Sequence, residues 1–249
     1  MQTLFIGKNS VELASVDSTN NYAKELLEKE RVAEGTLILA HEQHSGRGQT
    51  SNTWKSEQGK SLTMSLILYP EFLDASQQFY LNMAVSLAAK DFCESVSKEE
   101  IKIKWPNDIF CFNHKLGGIL IENTVSGNKI SSSVIGIGLN VNEEEFGEDL
   151  PNAVSLYQIT NNKFQITSLV ELLCGYLEKY YLQLRQLHFN FLDKAYTEAM
   201  YRYQQTHEFK HDGKIFRGEI NGVTKEGKLL VHSNGKELKF AMKEVEFVI

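Results

Sequence analysis

Between residues 101 and 141 the chain leaves no room for crossovers. Four runs of strand character are separated only by Pro106-Asn107, by Asn113-His114 and by Ser126-Gly127-Asn128. Joining parallel neighbours takes about a dozen residues, so links this short make each strand run antiparallel to the one before it. The runs cover 101–104, 109–112, 116–123 and 129–141. They predict an α+β fold built on a mixed, largely antiparallel sheet with helices.

The flanking segments fit that fold. Residues 11–16 alternate like a strand, and Asp17 or Ser18 is placed to cap a helix with Tyr22, Ala23, Leu26 and Leu27 on one face. The tetrapeptide DSTN, starting at Asp17, thus sits at a strand-to-helix corner. Strand character at 36–40 and 62–69 flanks a polar, glycine-bearing loop at 43–59. Helical spacing covers 76–97, and 143–149 reads as an acidic loop. Ser168 with Glu171 suggests a capping box opening a helix toward 187, and a second helix is expected at 190–204. From 208 onward, short β segments and five glycines indicate a small antiparallel barrel, too short to be comfortably stable alone. The expected division is 1–205 and 206–249, the second unit docked on the first.

Composition narrows the function. A chain of 249 residues with 42% apolar content can bury a sizeable core, roughly 70–75% of its unfolded surface. A net charge of -6 gives no overall attraction to nucleic acid or anionic membrane, so phosphate affinity must come from a local cluster. Cys93, Cys111 and Cys174 lie apart in apolar surroundings, as buried thiols of a reducing compartment do. No basic-then-apolar leader and no membrane-length apolar run is present, so the cytoplasm is the expected location.

Two segments concentrate charge and glycine: GRGQTSNTW at 46–54, and KWPND at 104–108 followed by KLGG at 115–118. A glycine loop, two lysines, an arginine and a carboxylate suit the binding of a nucleotide phosphate beside an acid. GRGQTS fails the dinucleotide pattern because Ser51 occupies the third glycine position, and GKS at 59–61 fails the P-loop pattern because Trp54 stands where the first glycine belongs.

The joint order DSTN, Gln43, GRG, Trp54, KWPND, KLGG and GIGLN resembles the biotin protein ligase family over about residues 11–142. The resemblance implies a class II synthetase-like catalytic domain followed by an SH3-like barrel. It implies activation of biotin by ATP with magnesium, then transfer to one lysine of a biotin carboxyl carrier domain of a carboxylase. Lys115, Arg47 and Asp108 are the implied catalytic residues. Lys115 is expected between the biotin carboxylate and the α-phosphate, and Asp108 to orient the incoming amine or accept its proton. Biotin is expected to meet Ser18, Thr19, Gln43, Gly46, Arg47, Lys115, Gly118, Gly136 and Gly138. The nucleotide is expected to meet Trp54, Asn52, Lys104, Asn107, Lys115 and Asn140, and no protein metal ligand is identified.

Many members carry GRGRxGR in the loop, where this chain has Gln49, Ser51 and Asn52, so a weaker hold on the activated intermediate is expected. Only sixteen residues precede DSTN, which leads to the expectation of a monofunctional enzyme without a DNA-binding module, monomer or homodimer. AMK at 241–243 resembles a carrier's acceptor sequence, but Lys243 is expected in a terminal strand. Two other functions stay open: a lipoate ligase or octanoyltransferase of the same fold family, and a non-catalytic biotin or nucleotide sensor.

Overall fold

The computed structural model describes residues 3–49, 53–55 and 57–248. The 101–141 region folds as its turns require. Strands β6 (Ile101–Lys104), β7 (Asp108–Cys111), β8 (His114–Ser126) and β9 (Lys129–Asn140) pair antiparallel in sequence order. Gly127, at φ 61°, supplies the left-handed turn between the two long strands. Beyond β9 lies β5 (Ser61–Leu68), an unbroken apolar and small-residue run that is buried along its whole length, as a central strand must be. It is followed by β2 (Leu37–Ala40) and β1 (Ser10–Leu13), giving the order β1-β2-β5-β9-β8-β7-β6.

The β1–β2 pair is parallel, joined through helix α1 (Thr19–Lys29), so one crossover unit exists beside the antiparallel hairpins. The expected strand at 11–16 stops at Leu13, and Val16 makes only an isolated bridge to Gln43. Ser18 is the N-cap of α1, by backbone conformation and without a side-chain capping bond.

The two faces of the sheet differ. On one, helices α2 (Gln78–Ser97), α4 (Ile166–Arg185) and α5 (Phe189–Ala199) cover Leu62, Met64, Leu66, Ile135, Ile137 and Leu139 in the main core. On the other, α1 packs Ala23 on Ile38, Ile67 and Val134, with Tyr22, Leu26 and Leu27 at the margin. This second face is only partly covered. Strand alternation puts Gly118, Gly136 and Gly138 on the uncovered part, where they leave a floor without side chains.

Two expected elements are corrected. The helix expected from Ser168 begins at Ile166 with Gln165 as N-cap, so Ser168 lies inside the first turn and no capping box with Glu171 forms. Capping boxes occur instead at Asp74 with Gln77 and at Ser155 with Gln158, the latter opening the short helix α3 (Leu156–Thr160). The helix expected to 204 ends at Ala199 because Met200 turns extended and bridges to Ile103 at the sheet edge.

The acidic loop is not uniformly solvated. Glu143 is buried, accepting hydrogen bonds from the Ser61 hydroxyl and the Val141 backbone N–H (3.0 Å), and burial raises its pKa.

The chain ends in a five-stranded antiparallel sheet of β10 (Thr206–His211), β11 (Lys214–Val223), β12 (Leu229–Ser233), β13 (Lys236–Phe240) and β14 (Glu246–Phe247). This is the small β unit expected of an SH3-like barrel. Its Phe209, Ile220, Leu229 and Val231 belong to the same apolar core as Leu81 and Ile103. Trp105 Nε1 donates to Gly227 O at 2.9 Å, across the β11–β12 turn. Lys243 lies in a turn at φ 71° rather than in a strand.

Candidate active site

The glycine floor is the base of a cavity whose walls are the start of α1, the β3–β4 hairpin (Gly46–Arg47 and Thr53–Trp54) and the strand ends around Asp108 and Lys115. Gly118 stands opposite both Asp108 and Gly138, so β7, β8 and β9 contribute one row. A Cβ at Gly138 would lie 2.6–2.8 Å from three ring atoms of Trp54, and one at Gly136 would lie 2.5 Å from Asn20 Oδ1. The walls therefore touch the floor only because these positions are glycine.

A bulge sets the central ion pair. Phe110 faces Lys115 while Ile109 faces Gly117, so Leu116 is the extra residue. Without it Lys115 and Gly118, three apart, would point to opposite faces; with it both join Asp108 on the cavity side. Lys115 Nζ lies 2.7 Å from Asp108 Oδ1, both half-buried. Gly118 leaves the space this pair occupies, its own Cβ position lying 3.3 Å from Asp108 Oδ1 and 3.4 Å from Lys115 Nζ. The backbone of Lys115 is held from outside by the 152–154 segment, through bonds to Asn152 O (2.6 Å) and from Val154 N (2.9 Å).

The turn carrying Asn107 and Asp108 is anchored from behind. Pro106 O accepts hydrogen bonds from Asn82 of α2 (2.8 Å) and from the Tyr196 hydroxyl of α5 (2.6 Å). Asn107 itself donates to Ile119 O and is buried at the cavity wall.

The opposite wall is a polar chain. Gln43 Oε1 accepts from the Thr19 backbone N–H at 2.8 Å and lies 3.2 Å from its hydroxyl. The buried Ser65 hydroxyl lies 2.7 Å from Thr19 Oγ1 and donates to Asn20 Oδ1 at 2.6 Å. Asn20 Nδ2 in turn donates to Glu122 Oε2 at 2.9 Å. Arg47, at the mouth, pairs with Glu122 (3.0 Å) and donates to Asn21 Oδ1 (2.9 Å). Burial alone would raise the Glu122 pKa, but hydrogen bonds from Lys24 and Asn20 and the charges of Lys24 and Arg47 outweigh it and hold it below the ordinary carboxylate value.

Of the residues expected at the site, Ser18, Thr19, Gln43 and Arg47 line one side of the cavity, and Asn107, Asp108 and Lys115 the other. Trp54 lies over Gly138, its buried Nε1 without a partner among the described residues. Asn52 lies outside the described residues. Three expected residues stand back. Gly46 supports the hairpin, where a Cβ would strike Trp54 O at 2.4 Å. Asn140 spends its carboxamide on Val154 O (3.1 Å) and Lys115 O (3.4 Å). Lys104 lies between the rings of Phe110 and Phe247, 5.1 and 5.3 Å from their centroids, with burial lowering its pKa. Sequence reasoning missed Asn20 and Glu122; the signal was present in DSTN and in strand alternation from Gly118.

The cavity can neutralise an anion from two sides, through Arg47 and Lys115, and can fix a rigid polar ligand against a flat floor. Thiol chemistry is poorly served: burial raises Cys93 strongly, Cys111 to about 11 and Cys174 to about 12, and none of the three lines the cavity.

Known proteins share this architecture. The biotin protein ligase from Aquifex aeolicus in complex with biotin and ATP superposes with a TM-score of 0.80 at 24% identity, covering 97% of this chain and all (100%) of that one. The bifunctional ligase/repressor BirA of Bacillus subtilis is 29% identical over 250 residues, 99% of this chain and 76% of the relative. That of Bacillus spizizenii is 33% identical over 185 residues, 73% of this chain but 56% of the relative's length. A sequence model of the biotin/lipoate A/B protein ligase family matches residues 12–140, which span both halves of the cavity. With more than half its length matched and the glycine-floored cavity inside the match, the chain belongs to the biotin/lipoate A/B protein ligase family.

Proposed function

We propose that this chain is an ATP-dependent biotin protein ligase. In the first half-reaction a biotin carboxylate oxygen attacks the α-phosphorus of ATP, the bond to pyrophosphate breaks, and biotinyl-5'-AMP forms. In the second, the ε-amine of a carrier lysine attacks the acyl carbonyl, AMP leaves, and an amide remains. The observation that carries this function is the Lys115–Asp108 pair, 2.7 Å apart at the edge of the glycine floor and accessible from the cavity.

Two anions must meet in the first step, and the ammonium of Lys115 supplies charge where it develops, stabilising both the adenylate and the departing AMP. Asp108 keeps that ammonium in place and is the nearest carboxylate to take a proton from the incoming amine. Arg47 faces the cavity from the other wall and suits the biotin side. The polar chain from Gln43 to Asn20 offers hydrogen bonds for a ureido ring, and Trp54 an aromatic face for adenine.

Among the described residues no group of three or more His, Cys, Asp or Glu side chains is arranged to hold a metal ion; magnesium would enter on the nucleotide's phosphates and supply charge neutralisation there. Residues 1–205 would perform the chemistry, with 206–249 docked behind the turn at Trp105. The partner would be a biotin carboxyl carrier domain in a reducing cytoplasm. No helix of the described residues is long and apolar enough to cross a membrane.

The test is ATP–pyrophosphate exchange with biotin, lipoate or octanoate supplied separately. Exchange with biotin that falls by about 10²–10³ in Lys115→Ala is expected, the usual effect of deleting one group that stabilises developing charge. Exchange with lipoate or octanoate alone would reassign the substrate, and no exchange with any acid would favour a sensor or an ATP-independent transferase.

A further inference from the structure

We propose that Glu122 is a positioning residue for acid activation, acting on the cavity from beyond its lining. The inference rests on the ligase function proposed above. Glu122 lies two rungs along β8 from Gly118, on the same face, with its side chain 19% exposed. Four donors from two separate elements, α1 and β3, meet on its two oxygens. Lys24 Nζ of α1 lies 2.5 Å from Oε1, and Asn20 Nδ2 of the same helix donates to Oε2. Arg47 straddles both oxygens, Nη2 at 3.0 Å from Oε1 and Nη1 at 3.3 Å from Oε2.

Two consequences follow from the chemistry of a carboxylate. It only accepts hydrogen bonds, so the carboxamide of Asn20 must turn its nitrogen toward Glu122 and its oxygen toward Ser65 and the floor at Gly136. Ser65 has one proton, and Asn20 Oδ1 has none, so that proton is drawn to Asn20. The acceptor and donor pattern of the wall from Asn20 to Ser65 is thereby fixed from Glu122. The second consequence concerns Arg47. A planar guanidinium bound at both nitrogens has one orientation, so the cation at the mouth is held before any ligand arrives, and the ordering cost is met by folding.

Glu122→Gln tests this in full-length protein, because an amide keeps the volume, loses the charge and can present either end to Asn20. Biotin-dependent pyrophosphate exchange should show a KM for biotin raised by about tenfold, more than any change in kcat, with the KM for ATP moved less. Combined with Arg47→Gln, the double variant should be little worse than Arg47→Gln alone, since that change already removes the cation Glu122 holds. A purely structural role gives additive losses and lowered thermal stability without the KM shift. Wild-type exchange with an unchanged biotin KM in folded Glu122→Gln, or with additive effects in the double variant, would overturn this inference and leave the ligase function intact. Absence of exchange in wild type with every acid would overturn the function, and the inference with it.

Discussion

Trp105→Phe separates the role of the second sheet from the chemistry of the first. The indole of Trp105 is buried at 6% exposure and donates to Gly227 O at 2.9 Å, while Gly227, at φ 85°, sits against the ring of Phe79. Phenylalanine keeps most of the packing, removes the donor and leaves a buried carbonyl unpaired. The hydrogen bond and the orphaned acceptor, with a small void beside them, sum to about 2–3 kcal/mol. For a chain of this size that corresponds to a fall in Tm of roughly 4–12 °C. Thermal denaturation followed by circular dichroism measures it, with Tyr201→Phe as a reference, since that variant loses a bond to Asn113 at the exposed hairpin tip. Because Trp105 lies just before Pro106 in the turn that carries Asn107 and Asp108, exchange activity should also fall at temperatures where the variant remains folded. A Tm within about 2 °C of wild type would show that the carbonyl finds water or another donor and that the two sheets are held by apolar contact alone.

Other outcomes follow from the same geometry. Gly138→Ala should weaken biotin binding by calorimetry roughly tenfold to a hundredfold and lower Tm, since the overpacked contact with Trp54 costs about 1–3 kcal/mol and displaces the ring from the floor; unchanged affinity would refute the floor. Glu143 has its pKa raised by burial, so the folded state holds the proton more tightly than the unfolded chain does. Its contribution to stability is fully present below the ordinary value of 4.5 and is lost as pH rises through the folded value. Glu143→Gln should therefore remove a decline in stability above pH 4.5, and urea midpoints measured across that range would reveal parallel curves if the burial were inconsequential. Gln49 lines the cavity at the position where the GRGRxGR pattern expects arginine, and Gln49→Arg should slow release of the activated intermediate in a filter-retention assay; equal or faster release would refute the idea.

The parts legible in the sequence were those dictated by short-range chemistry. Turns at Pro106-Asn107 and Ser126-Gly127 fixed the antiparallel hairpins, because two or three residues permit no other connection. The apolar spacing of Ala23 and its neighbours located α1. What escaped depended on distant partners. Nothing near Met200 announces that Ile103 will draw it out of helix. Glu143 reads as one of a charged run, and its burial depends on the Ser61 hydroxyl brought from β5 together with the Val141 backbone N–H. Lys104 carries the motif's charge, yet Phe247, far along the chain, takes it away from the cavity wall.

The single extra residue at Leu116 divides the neighbouring sequence into rigid and free spacing. Phe112 and Asn113, between the paired Cys111 and His114, form a hairpin tip pointing away from the cavity, and their number can change without moving Phe110 or Lys115. The two residues between Lys115 and Gly118 cannot lose or gain one, because strand parity would carry the ammonium through the sheet to its helix-covered side. A pattern meant to recognise such sites in other chains should therefore hold lysine and the second glycine at a constant separation while leaving the aspartate-to-lysine gap open. Grafted loops or affinity tags have a tolerant place at the tip, about Asn113, and none three residues later.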